Sequence, residues 1–290
     1  MFAAAIMCRT GRHRSGAQLA VVSTMRIRAV SCHLHFTHRG CRYDAEPFVG
    51  CCTWQSARWF VCETYFYRKI RAIMQSYDGP VDPFAAQKQS LLDSLQQPFE
   101  RSVLALMKSE STLSDAISQS LLGNKGDLSL HSVAASIDTL SSASSLVILA
   151  DQRSEALKLL HSSARVAIIL DNCGLELVSD LMLAALLLES DACASVHLLC
   201  KKRPVWVSDV LDMHQHLWAQ SLKFDDEDSA AANATFVAWI RTCMLTNRLI
   251  IVALDFLSSP EAFDEMCADL VVLFEGCTLA ICKGESQAVP

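Results

Sequence analysis

Asp171, Asn172, Glu176 and Asp180 place four oxygen-bearing side chains within ten residues, the last two on an otherwise apolar segment. Carboxylate and amide oxygens in that mixture suit a hard divalent cation such as Mg²⁺ or Mn²⁺. Just before them, Val166-Ala167-Ile168-Ile169-Leu170 is a continuous apolar run rich in β-branched residues, the pattern of a strand buried on both faces. Just after them, Leu175 to Leu188 runs on without Gly or Pro and predicts a buried helix. A strand, the polar turn Asp171-Asn172-Cys173-Gly174 and a helix form the first half of a βαβ unit. Ligands of open α/β sheets bind outside the carboxyl ends of the strands, and a helix N-terminus at that place favours an anion. Glu176 and Asp180, four residues apart, share one helix face. Taken alone, Asp171 has a plainer reading as the cap of the next helix. The oxygen cluster as a whole is harder to explain that way.

Composition bounds the alternatives. The chain has 290 residues, enough for one large or two small domains with a full core. It is 51% hydrophobic and 19% charged, as globular proteins are. A net charge of −6 argues against nucleic acid as the main partner. No apolar run reaches the roughly 18 residues of a membrane span, so no membrane partner is expected. Thirteen cysteines without a CxxC pair suggest free thiols in a reducing, cytoplasmic setting. The start is different: seven arginines precede the first acidic residue, Asp44, with no lysine among them. That pattern reads equally well as an organelle-import leader or as translated non-coding sequence. Cys32, His33, His35, His38 and Cys41 in this stretch match no established zinc spacing.

The rest of the chain supplies the elements that must position the cluster. Trp59 to Ile70 has helical spacing, and Asp82-Pro83-Phe84 opens another helix. Gly123-Asn124-Lys125-Gly126-Asp127-Leu128-Ser129 is a turn without the second half of a nucleotide-binding loop. Leu146 to Leu149 reads as a strand, Arg153 to Ser162 as a helix, and Ser195 to Cys200 as the strand after the central helix. Lys201-Lys202-Arg203-Pro204 is a basic turn, read as a solvated charge run in preference to a phosphate contact. Phe224 to Asp228 reads as an acidic surface loop, and Ala268 to Phe274 as the last strand.

DNCGLELVSDL (171–181) resembles the signature of the metal-dependent damage-control phosphatases, in their sugar-phosphate branch (subfamily III). Three further stretches resemble the same family: Glu63-x-x-x-Tyr67-Arg68, Asp82-x-Phe84-x-x-Gln87-Lys88 and Val207-Ser208-Asp209. The resemblance covers roughly residues 54 to 276. It implies an amino-terminal helical domain (54–140) after an atypical leader (1–53). A Rossmann-like αβα sandwich domain (141–290), incomplete at its carboxyl end, would follow. It further implies that Asp171, Asn172 and Asp209 hold Mn²⁺, Ni²⁺ or Co²⁺, with Mg²⁺ as a further candidate. Asp171 and Asp209 would act in catalysis, and Asp171, Asn172, Glu176 and Asp209 would contact a small sugar phosphate. The family pattern continues after the last strand with Lys-Gly-Asp-x-Asn-Tyr-Arg, a loop that grips the phosphate. Placing the last strand at 268–274 sets Glu275-Gly276-Cys277 against Lys-Gly-Asp and reverses the charge that meets the phosphate. A family member impaired in catalysis is therefore the second expectation. A third follows from the family's other description, as an S-adenosylmethionine-dependent protein-glutamate methyltransferase. No glycine-rich loop of the usual methyltransferase kind follows a strand here.

Overall fold

The computed structural model describes residues 56–57, 59–78, 82–94, 112–123, 153–211, 227–259 and 266–282. The leader, its Cys/His cluster, the expected strand at 146–149, the turn from Asn124 onward and residues 224–226 of the acidic stretch lie outside them.

Among the described residues, four helices come before the first strand: α1 (Trp59–Asp78), α2 (Ala85–Ser94), α3 (Leu113–Gly123) and α4 (Arg153–Lys158). Asp82 caps the approach to α2, its Oδ1 accepting the Phe84 N–H at 2.9 Å. Thr112 and Asp115 do the same reciprocally at the start of α3, where each backbone N–H donates to the other's side chain. The remaining elements alternate: β1 (Arg165–Ile169), α5 (Leu175–Glu189), β2 (Ser195–Lys201), α6 (Glu227–Leu245), β3 (Leu249–Leu254), a 3-10 turn (Phe256–Ser258), α7 (Ala268–Glu275) and β4 (Leu279–Ile281).

The strands form one parallel sheet in the order β3-β2-β1-β4. Each strand must therefore be reached by a crossover, and helices cover both faces. Alternate residues of β1 sort to opposite sides. Val166 and Ile168 enter the larger core with α3, α5 and α6, whereas Ala167 and Ile169 meet Phe256, Leu257, Leu270 and Phe274. The fold class is the expected α/β sandwich. Helix α5 is buried nearly all round because the sheet lies on one side of it and α3 on the other. Among the described residues no helix is long and apolar enough to cross a membrane, and the eight described cysteines are free thiols.

Two readings need correction. Residues 268–275 are a helix, not the last strand. Leu270 and Phe274, one turn apart, face the core while Val272 is exposed, so the period is helical although Leu270 to Phe274 are all apolar. The last described strand is β4 (Leu279–Ile281). In the sequence, a Lys-Gly-acid triplet, Lys283-Gly284-Glu285, comes after β4. Glu275 ends a helix and does not follow the last described strand, so the placement that set it against the family's lysine does not hold. In addition, Glu227 begins α6 and so does not belong to a loop.

His197, in the middle of β2, sits between Ala167 of β1 and Ile250 of β3, and its Nδ1 is buried without a hydrogen-bond partner. Burial first, and then the charge of Arg165, hold its pKa below the usual 6.5. The unfolded chain therefore takes up a proton that the folded chain resists, and stability falls as pH drops below 6.5. Replacing His197 with Leu should flatten that part of the urea-midpoint profile between about pH 6.5 and pH 5.

Candidate functional site

The register of the sheet assembles the site. β1 and β2 pair from Arg165↔Ser195 to Ile169↔Leu199, and Leu170 N–H continues the ladder to Leu199 O at 2.8 Å. The same register carried past the strand end brings Asp171 beside Lys201. The Lys201 ammonium lies 2.5 Å from Asp171 Oδ1 and 2.8 Å from Asp209 Oδ1. Its side chain is buried. Burial alone would push the ammonium toward neutrality, but the two carboxylates outweigh it and raise its pKa well above that of an ordinary lysine. A full positive charge therefore stands between two carboxylates at the carboxyl edge of the sheet.

Asp209 arrives on the loop after β2. An isolated antiparallel bridge joins Asn172 to Asp209, with Cys173 N–H on Ser208 O at 2.6 Å and Val210 N–H on Asp171 O at 3.0 Å. This turns the loop back against the end of β1. The second oxygen of Asp209 accepts the N–H groups of Val205 and Trp206 at 2.8 and 2.7 Å, which fixes its orientation. Asn172 is held just as closely: Ser208 Oγ donates to its Oδ1 at 2.5 Å, and its Nδ2 donates to Glu176 Oε2 at 2.9 Å. Gly174 makes the turn into α5 with φ 98°, a conformation that a side chain would strain.

Four of the sequence-predicted residues (Asp171, Asn172, Glu176 and Asp209) thus come together. Asp171 does not cap α5, whose N-cap is Gly174 with no side-chain cap bond. Asp180 points elsewhere and accepts the Ser120 hydroxyl at 2.6 Å, linking α5 to α3. The basic turn divides. Lys202 and Arg203 are partly exposed and pair with Asp255 at 3.0 and 3.1 Å, whereas Lys201 is buried, contrary to the expectation of a solvated run. Burial works against the Asp255 charge, but bonds from Lys202 and Arg203 prevail and lower its pKa.

Helix α1 reaches the same edge. Phe60 stacks on Trp206 with centroids 5.4 Å apart, and the Lys201 ammonium lies 5.2 Å from the Trp206 ring on which cations are stabilised. Arg68 donates to Ser258 O at 2.9 Å. The buried pair Lys88–Asp82, 2.8 Å apart, acts electrostatically on Cys173 together with Asp209. Burial pushes the Cys173 thiol up to about 12, so it stays protonated at neutral pH.

Among the described residues, no three His, Cys, Asp or Glu side chains converge as a metal cage. Two carboxylates and an amide are the smaller donor set of a hard cation that keeps several waters. The pair already closes on one cation, the lysine, so the arrangement fits such an ion.

The fold and this edge define an α/β protein with a cation-holding carboxylate pair at the carboxyl ends of parallel strands. The family model of the Damage-control phosphatase ARMT1-like domain matches residues 17–288, and the chain belongs to that family. It is 35% identical over 196 residues to Damage-control phosphatase ARMT1 of Macaca fascicularis, covering 57% of this chain and 44% of that protein. The Homo sapiens protein of the same name is 34% identical over 199 residues, with the same shares. The Rattus norvegicus protein is 29% identical over 270 residues, covering 80% of this chain and 60% of that protein. The aligned part is thus about half the length of these relatives. A crystal structure of a DUF89 family protein from Pyrococcus horikoshii aligns over 86% of both chains at a TM-score of 0.41 and 14% identity.

Ser208 is a test of the geometry. Ser208→Ala leaves the buried Asn172 Oδ1 without its donor and should cost about 1–3 kcal/mol in chemical denaturation. The same change at Ser190, whose hydroxyl donates to a carbonyl on an exposed helix end, should cost far less.

Proposed function

We propose that the chain is a metal-dependent phosphatase of small sugar phosphates. The observation that supports this reading best is the convergence of Asp171 and Asp209, from separate segments, on one buried cation beside Asn172 and Glu176. Membership of the damage-control phosphatase family supports it independently. Asp171, Asn172 and Asp209 would hold Mn²⁺, Ni²⁺, Co²⁺ or Mg²⁺. When bound, such an ion supplies Lewis-acid polarisation of the phosphoryl group and orients the attacking oxygen.

The chain's own groups do the rest. Asp209, fixed by two backbone N–H groups, keeps one oxygen directed at the cation position. Asp171 lies at the end of β1, where the phosphoryl group would approach. It is placed to orient water or to attack phosphorus itself. Glu176, held by Asn172, is placed to accept a substrate hydroxyl. Lys202 and Arg203 bring positive charge to the same strand ends for the phosphate oxygens. In the overall reaction water forms a bond to phosphorus, the bond to the sugar oxygen breaks, and a proton passes to that oxygen.

A second reading, a family member that binds the metal without turnover, is favoured by Glu285 and the residues after it, which depart from the family's Lys-Gly-Asp-x-Asn-Tyr-Arg. One experiment separates the two. Phosphate release is measured from a panel of hexose phosphates with each of the four metals, beside Asp171→Ala. The phosphatase reading expects release that needs metal and falls by about a hundredfold or more in the variant. Folded protein that binds Mn²⁺ and releases nothing from any sugar phosphate would establish the second reading.

A further inference from the structure

Lys201, whose sequence context reads as a solvated charge run, stands in the most telling position of the site. Its ammonium is surrounded by Asp171 Oδ1 at 2.5 Å, Asp209 Oδ1 at 2.8 Å and the Asp171 carbonyl oxygen at 3.3 Å. Those carboxylates are the ones a divalent cation would need. A singly and a doubly charged ion cannot share them at these distances without strong repulsion in a poorly hydrated pocket. Yet two carboxylates at a buried strand end cannot stand without a counter-charge either.

We propose that the Lys201 ammonium and a divalent cation are alternative occupants of the Asp171–Asp209 pair. Lys201 is thus a positioning residue. It holds both carboxylates in their metal-binding places while no metal is there, and it sets the metal affinity because it must leave when metal binds. The flexible four-carbon stem of lysine allows that movement, whereas the planar, branched head of arginine would not clear the site so readily. The inference rests on the metal reading above and adds to it a competition within the chain.

The test uses the full chain, stripped of metal and titrated with Mn²⁺ alone, with free Mn²⁺ followed by electron paramagnetic resonance. The chains compared are wild type, Lys201→Met, Lys201→Gln (which keeps a donor but not the charge) and Asp209→Asn. Both lysine variants should bind Mn²⁺ at least about tenfold more tightly than wild type, because one positive charge has left the site. Their melting temperatures should fall without metal and recover as Mn²⁺ is added, while Asp209→Asn should lose the binding. A lysine variant that folds only with Mn²⁺ supports the proposal as well. Unchanged or weaker Mn²⁺ affinity in a folded Lys201→Gln chain would overturn it and leave the metal reading standing. A variant that stays unfolded at saturating Mn²⁺ also overturns it, since the metal was to take over the pinning. Absence of binding in wild type and both lysine variants would remove the metal reading and the proposal together.

Discussion

Two carboxylates, Asp171 and Asp209, are drawn onto one buried ammonium at the end of a parallel sheet, and much of the local structure is arranged to keep them there. Their mutual repulsion in a poorly hydrated place would otherwise separate the end of β1 from the loop after β2. With Lys201 between them, the loop closes on the strand through the Asn172–Asp209 bridge, and Ser208 and Glu176 take up the two ends of the Asn172 amide. The pattern extends across the sheet. Asp171 follows β1, Lys201 ends β2 with Lys202 just after it, and Asp255 follows β3, so acid and base alternate along the carboxyl edge. Register generates this, because the paired parallel strands end side by side.

The strand order gives the edge its direction. The chain moves outward from β1 to β2 to β3, then returns to pair β4 with the other side of β1. The reversal lies between β1 and β4, which is where open α/β sheets leave a crevice for ligands. Asp171 and Asn172 follow β1 at that point, and Lys283-Gly284-Glu285 follow β4 in the sequence.

What the sequence made legible was what depends on local pattern. The run 166–170 and the helix after it were readable because an apolar strand, a polar turn and a long apolar helix follow one another without ambiguity. Asp171, Asn172 and Glu176 were readable because they lie together in sequence. The run 268–274 was misread because periodicity is lost across five successive apolar residues, Leu270 to Phe274, and only the burial of Leu270 and Phe274 against exposed Val272 restores it. Lys201 was misread for a different reason. Next to Lys202 and Arg203 it looks like surface charge, and only the pairing of β2 with β1 sets it apart. Asp82–Lys88 and Ser120–Asp180 were beyond reach for the same cause: their partners come from other elements, or lie across a helix start, and local pattern does not register them.

Stability alone does not account for the cluster. A buried ion pair is seldom worth more than well-packed apolar side chains of the same volume, because desolvating the charges consumes most of what their attraction returns. Here Asn172, Glu176, Lys201, Ser208 and Asp209 are all buried, and the strand ends around them could have been closed with leucine and valine as the interior of the sheet is. A polar cluster kept where apolar packing would serve as well is better explained by what it can hold than by what it stabilises. Its cation can be exchanged, because lysine reaches the carboxylates on a flexible stem from the end of β2. The carboxylates are less easily moved: Asp209 is fixed by two backbone amides and the Asp171 backbone by the ladder beside it. Fixed anions around a movable cation give a site in which the occupant can change while the geometry stays.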